Sequence, residues 1–76
     1  MSDKVEKIEA ALKDRNRDKN HRLADVEHYL SAKGWAARTK GSHRILTKGT
    51  MMINIQPTKE GKVKGYQIRQ IRKLLF

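Results

Sequence analysis

The chain has 76 residues and no cysteine, enough for one small domain with a single core and too few for a second. The absence of cysteine excludes disulfides, Cys-ligated zinc and thiol nucleophiles, and no apolar run approaches the ~20 residues that a membrane-spanning helix needs. The formal net charge is +10, and it is unevenly spread: residues 1–33 hold eight Lys or Arg against seven Asp or Glu, whereas residues 34–76 hold ten against Glu60 alone. So lopsided a charge costs stability by self-repulsion, and a polyanionic partner, most often nucleic acid, accounts for it better than solubility does. The opening MSDKVEKIEA has no signal-peptide core, so the expected setting is cytoplasmic with no membrane contact.

From the N-terminus, Ser2 or Asp3 is placed to cap a first helix, with Glu6 completing a capping box. Val5, Ile8 and Leu12 then form one apolar stripe ending near Lys13. Residues 14–22, DRNRDKNHR, are entirely polar and read as a surface connection. A second helix over about 22–33 carries Leu23, Val26 and Leu30 at helical spacing and stops at Lys33-Gly34, where glycine supplies a left-handed cap.

Beyond Gly34 the period changes. Trp35–Arg38 and His43–Thr47 read as strands, and in Met51–Gln56 the residues Met51, Ile53 and Ile55 alternate against Met52, Asn54 and Gln56. Thr39-Lys40-Gly41-Ser42 and Thr47-Lys48-Gly49-Thr50 are nearly the same tetrapeptide, because both serve as glycine turns of a meander. After Pro57 a lysine-rich loop leads into a basic amphipathic helix in which Ile68, Ile71 and Leu75 share one face. The expected architecture is α+β in the order ααβββα, a three-stranded antiparallel sheet with helices on one face, forming a single domain over 1–76. Its parts are two helices (1–33), the meander (34–57), a basic loop (58–65) and a C-terminal helix (66–76).

Among candidate functional residues, His43 opens the second strand. By type it is a surface or packing residue, but an unperturbed pKa near ~6.5 also suits it to take a proton from a ribose 2′-hydroxyl. Lys40, Arg44 and Arg38 would hold the phosphate, and Ser42 either donates to a phosphate oxygen or merely closes the turn. Lys62, Lys64, Arg69 and Arg72, in the basic half of the chain, would meet the backbone of such a polyanion. Such cleavage requires no metal, and seven of the eight acids lie in residues 1–33, so no carboxylate cluster suggests one; no cofactor motif is present either. His21 and His28 read as solvated, Trp35 as core.

Taken together, Gly34-Trp35, Lys40-Gly41-Ser42-His43, Ile53-Asn54-Ile55-Gln56 and Lys64-Gly65-Tyr66-Gln67-Ile68-Arg69-Gln70-Ile71 resemble the HicA family of toxins from type II toxin–antitoxin systems. The resemblance spans essentially the whole chain. It implies a fold like a double-stranded RNA-binding domain, metal-independent mRNA cleavage with the active-site histidine at His43, and neutralisation by an antitoxin of the HicB type. Where many members carry bulky aromatics after that histidine this chain has Ile45 and Leu46, and where they carry a second histidine after the proline it has Thr58. That leaves Lys40, Arg44 or water to protonate the leaving oxygen. The alternative is a non-catalytic module reading double-stranded RNA by shape. A DNA-binding regulator ranks last, since no helix-turn-helix pattern is seen.

Overall fold

The structure, a computed structural model, describes residues 3–76, with side chains from Lys4 onward; the cap expected at Ser2 or Asp3 lies outside the described atoms. Helix α1 (Asp3–Lys13) buries Ile8 and Leu12, with Val5 packed partly against the same cluster. It stops because Asp14 turns its side chain onto the backbone N–H of Asn16, 2.9 Å away, and starts a single 3₁₀ turn over Arg15–Arg17. This is local competition by a short acidic side chain, and it separates α1 from α2 (Leu23–Ala32).

The end of α2 is a Schellman motif. Gly34 sits at φ +94°, its N–H bonds Ser31 O at 3.0 Å, and the N–H of Trp35 reaches back to Leu30 O, also at 3.0 Å. Only a residue without a β-carbon takes that φ at little cost. Trp35 and Leu30 are both in the core cluster, the apolar contact that accompanies this cap. Lys48 Nζ adds a bond to Lys33 O at 2.7 Å, placing a cation at the negative end of the helix dipole.

Three strands follow, β1 (Ala36–Lys40), β2 (His43–Lys48) and β3 (Met51–Ile55), paired antiparallel in the order β1-β2-β3. The first strand starts one residue later and ends two residues later than its hydropathy suggests, because Lys40 pairs directly with His43 and leaves Gly41-Ser42 as a two-residue loop. Gly41 and Gly49 both have φ +61°, and among the described residues only glycines take a positive φ; glycine at the first central position makes both hairpins type II′. Helix α3 (Gly65–Leu75) buries Ile68 and Ile71. The order ααβββα and the single antiparallel sheet are those expected from the pattern. No helix among the described residues is long and apolar enough to cross a membrane.

The core joins Leu12, Val26, Leu30, Leu46, Ile55, Val63, Ile68 and Ile71. Each such side chain contributes about 2 kcal/mol by leaving water. Val63, alone in the basic loop, is 2% exposed and pins that loop down. The loop also pairs with the α1–α2 connection: Arg22 and Lys62 form an antiparallel bridge, Val63 N–H donates to His21 O at 2.8 Å, and Leu23 N–H to Gly61 O at 2.8 Å. Two segments that looked solvent-bound in sequence therefore hold each other.

That pairing corrects the reading of His21 as solvated. It is 6% exposed, and its Nε2 has no hydrogen-bond partner among the described residues; His28, by contrast, is exposed as expected. Burial pushes the His21 pKa below its usual value, only partly offset by Asp18. The folded state therefore holds it neutral, while the unfolded chain protonates it near pH ~6.5. As pH falls through that value the unfolded state takes up the proton first, so stability declines until the lower folded-state pKa is passed; above pH ~6.5 the penalty is absent. Thermal unfolding followed between pH 5 and 7.5 is expected to show the melting temperature falling toward acid, and His21→Gln is expected to flatten that slope.

Candidate functional site

Alternation along β2 divides its residues between the two faces of the sheet. Leu46 joins the core and Arg44 bonds to Glu27 of α2, so the even-numbered side chains face the helices. His43 and Ile45 take the opposite face. Registered against them there are Lys40, directly across from His43, and Arg38 and Asn54, on either side of Ile45. The helices that build the core pack on the other face, yet Ile45 is only 6% exposed and stands apart from the core cluster. It is an apolar floor between polar neighbours.

His43 is half-buried, and its Nδ1 lies 2.8 Å from Asn54 Oδ1. With a carbonyl oxygen facing it, Nδ1 is the donor, which fixes the tautomer and leaves the lone pair on Nε2. Asn54 is itself held from behind. Its backbone carbonyl accepts from Gln67 Nε2 of α3 at 3.3 Å, and the Gln67 side chain is buried. Helix α3 thus fixes the strand that fixes the histidine.

The two cations nearest this pair, Arg38 and Lys40, are exposed and have no counter-ion among the described residues. Ser42 is exposed in the turn beside His43. The basic loop leaves β3 after Ile55, whose partner is Arg44, so it starts from the end of the sheet that carries the Gly41-Ser42 turn and His43. Lys62 is exposed on this loop, and Lys64 is partly buried at the N-cap of α3. Arg69, also exposed, stands only loosely against Asp18 at 3.9 Å.

Two expected site residues are elsewhere. Arg44 makes a two-point pair with Glu27, Nε to Oε2 at 2.5 Å and Nη2 to Oε1 at 3.0 Å, and also donates to Thr39 Oγ1. As the strand neighbour of His43 it faces the other side of the sheet, and it cannot share a phosphate with that side chain. Arg72 is likewise internal. Its Nε donates to Leu12 O at 2.8 Å, closing the C-terminus of α1, and its Nη2 pairs with Asp18 Oδ1. Both arginines spend their charge inside the fold. The residue that sequence reasoning passed over is Asn54; the available signal was its place among the polar positions of the alternating third strand.

Among the described residues no group of three or more His, Cys, Asp or Glu side chains is arranged to hold a metal ion. The arrangement does offer an oriented imidazole with a basic nitrogen, beside unpaired cations on an accessible face. That suits proton abstraction next to an anion. Compared with known proteins, the chain matches no family model, no curated protein and no solved structure.

The division of the arginines is testable. Arg44→Ala and Arg72→Ala each leave a mostly covered carboxylate without its closest partner; Arg72→Ala is expected to lower unfolding stability by about 2 kcal/mol and Arg44→Ala to shift it in the same direction. Arg38→Ala and Lys40→Ala, at exposed positions, are expected to stay within about 0.5 kcal/mol of the parent. Denaturant unfolding of the four variants would reverse the assignment if the two pairs changed places.

Proposed function

We propose that this chain is an RNA-cleaving toxin of the HicA kind, a cytoplasmic metal-independent endoribonuclease acting on mRNA and held in check by a HicB-type antitoxin. The reading takes the ααβββα order as that of a double-stranded RNA-binding domain put to catalytic use. The observation that carries it is the His43–Asn54 pair. An imidazole whose Nδ1–H is committed to an amide oxygen presents Nε2 as a base, on the face where Arg38 and Lys40 have no ion-pair partner among the described residues. The family resemblance of the surrounding motifs supplies the substrate and the partner.

In this mechanism His43 Nε2 removes the proton of a ribose 2′-hydroxyl as the oxygen attacks the adjacent phosphorus. The P–O5′ bond breaks, leaving a 2′,3′-cyclic phosphate on one fragment and a 5′-hydroxyl on the other. Lys40, across the ladder from His43, and Arg38 stabilise the charge gathering on the non-bridging oxygens. With Arg44 on the far face, the proton for the leaving 5′-oxygen comes from Lys40 or from water. Asn54 is a positioning residue, keeping Nδ1 protonated so that Nε2 remains the base, as the buried carboxylate does in a catalytic triad.

His43→Ala is expected to reduce cleavage of labelled RNA, in the presence of a chelator, by about 10² to 10⁴, and to relieve growth arrest on expression. Cleavage by this variant at the parental rate would sink the assignment. If the parent protein binds RNA and yields no cyclic-phosphate ends, the chain is instead a non-catalytic RNA-binding module. Asn54→Ala is expected to lower kcat with little change in KM and to alter the acid limb of the pH–rate profile, whereas a merely structural role would leave that limb in place.

A further inference from the structure

A second basic surface lies away from the open sheet face, where the end of α1, the 3₁₀ turn and α3 meet. Lys13, Arg15, Arg69 and Lys73 line a groove of about 780 Å³ together with the Asp18–Arg72 pair and Phe76. Asp18 is the one acidic side chain that lines it, and it is committed to Arg72, with Arg69 only at 3.9 Å. Arg15 and Lys73 are exposed and have no ion pair among the described residues. Like charges gathered around one concavity repel, and a polyanion relieves that cost.

Phe76 narrows the choice of polyanion. Phe76 is 50% exposed, so an aromatic side chain is within reach of a ligand lying in the cationic groove. Lys13 Nζ sits 4.9 Å from the ring centroid, a cation–π contact that shields it only in part. Cationic side chains along a channel with an aromatic platform are the arrangement that single-stranded nucleic acid uses: phosphates meet the cations and an unpaired base stacks on the ring. A duplex keeps its bases stacked inside and has no use for the platform. Arg69 and Lys73 are one helical turn apart, about 6 Å along the axis, so they form a row rather than a point.

We infer that this groove binds a single-stranded stretch of RNA, with phosphates on Arg15, Arg69 and Lys73 and one base on Phe76. The inference deepens the reading of the chain as an RNA-cleaving protein and rests on it for the identity of the nucleic acid. The groove is then a gripping surface distinct from the His43 face, holding substrate flanking the bond to be cut. It sits where the segment N-terminal to α2 packs on α3, so the polar connection over residues 14–22 acquires a role beyond joining two helices.

The test measures binding of a fluorescein-labelled single-stranded 12-nucleotide RNA to the His43→Ala protein by anisotropy over a range of salt. Adding Arg15→Gln and Lys73→Gln, at exposed positions that the fold does not use, is expected to weaken binding about tenfold or more. It should also reduce the slope of log K against log salt by about 1.4, or ~0.7 for each phosphate that is no longer neutralised. Adding Phe76→Ala instead should weaken binding of the single strand and leave that of a duplex of the same sequence nearly unchanged. Parental affinity and slope in the double variant would overturn the inference, as would a variant that keeps its RNA affinity but loses binding to polyglutamate, which would identify an acidic protein segment as the occupant. Cleavage is assayed separately with His43 intact. Normal cleavage with an inert groove removes only the groove, and RNA held in the groove without cleavage removes only the catalytic reading.

Discussion

Charge is the constraint on which the rest of this structure depends. A chain of net charge +10 can close around one core only if the positive groups that must face inward are neutralised, and almost all the acids lie in the first 33 residues. The fold solves this by reaching across. Glu27 of α2 takes Arg44 of β2, and Asp18 of the connection takes Arg72 of α3. In both pairs the side chains are mostly shielded from water, so these bonds are screened far less than surface ion pairs, and each also carries hydrogen bonds to neighbouring groups. They join the acidic half of the chain to the basic half. What remains outside is an excess of cations with no ion-pair partner among the described residues.

The same constraint settles the orientation of β2. Ile45 and Leu46 are both buried, one on each face, so hydropathy along this strand has no period of two from which a face could be read. The adjacent arginine decides it. Once Arg44 is drawn to Glu27 under the helices, His43 must look the other way, toward Arg38 and Lys40. The face of the histidine follows from an ion pair spanning 17 positions, and no local pattern encodes it. In β3, where Ile53 and Ile55 alternate with polar neighbours, the face was plain from the sequence.

Legibility elsewhere divides along similar lines. The helices, the meander and both glycine turns were readable because their signals are local: Ile8 and Leu12 at helical spacing, Gly34 after Lys33, Gly41 and Gly49 between short strands. The inward position of His21 was not, since it sits in a run of polar residues whose docking against the basic loop is a tertiary contact. Val63, a lone apolar residue among lysines, was the one trace of that docking. At the site, His43 stood out by its place after a turn, but sorting Arg38 and Lys40 from Arg44 and Arg72 required knowing which cations find a carboxylate. Composition gives the excess of charge, and only tertiary contacts say which members of it are free.

Helix α3 is where these separate solutions meet. At 3.6 residues per turn its side chains fall into three sectors. Ile68, Ile71 and Leu75 face the core. Gln67 stands to one side and bonds the Asn54 carbonyl, fixing the strand that orients His43. On the other side Arg72 clamps the end of α1 while Arg69 and Lys73 border the cationic groove. The Tyr66-Gln67 stretch, far from His43 in the chain, therefore touches the site through one amide. A rotation of α3 by a single residue position, about 100°, would carry Gln67 away from Asn54 and Arg72 away from Leu12 and Asp18. The core contacts of Ile68 and Ile71 resist that rotation, so packing on one sector of the helix fixes the geometry of the other two.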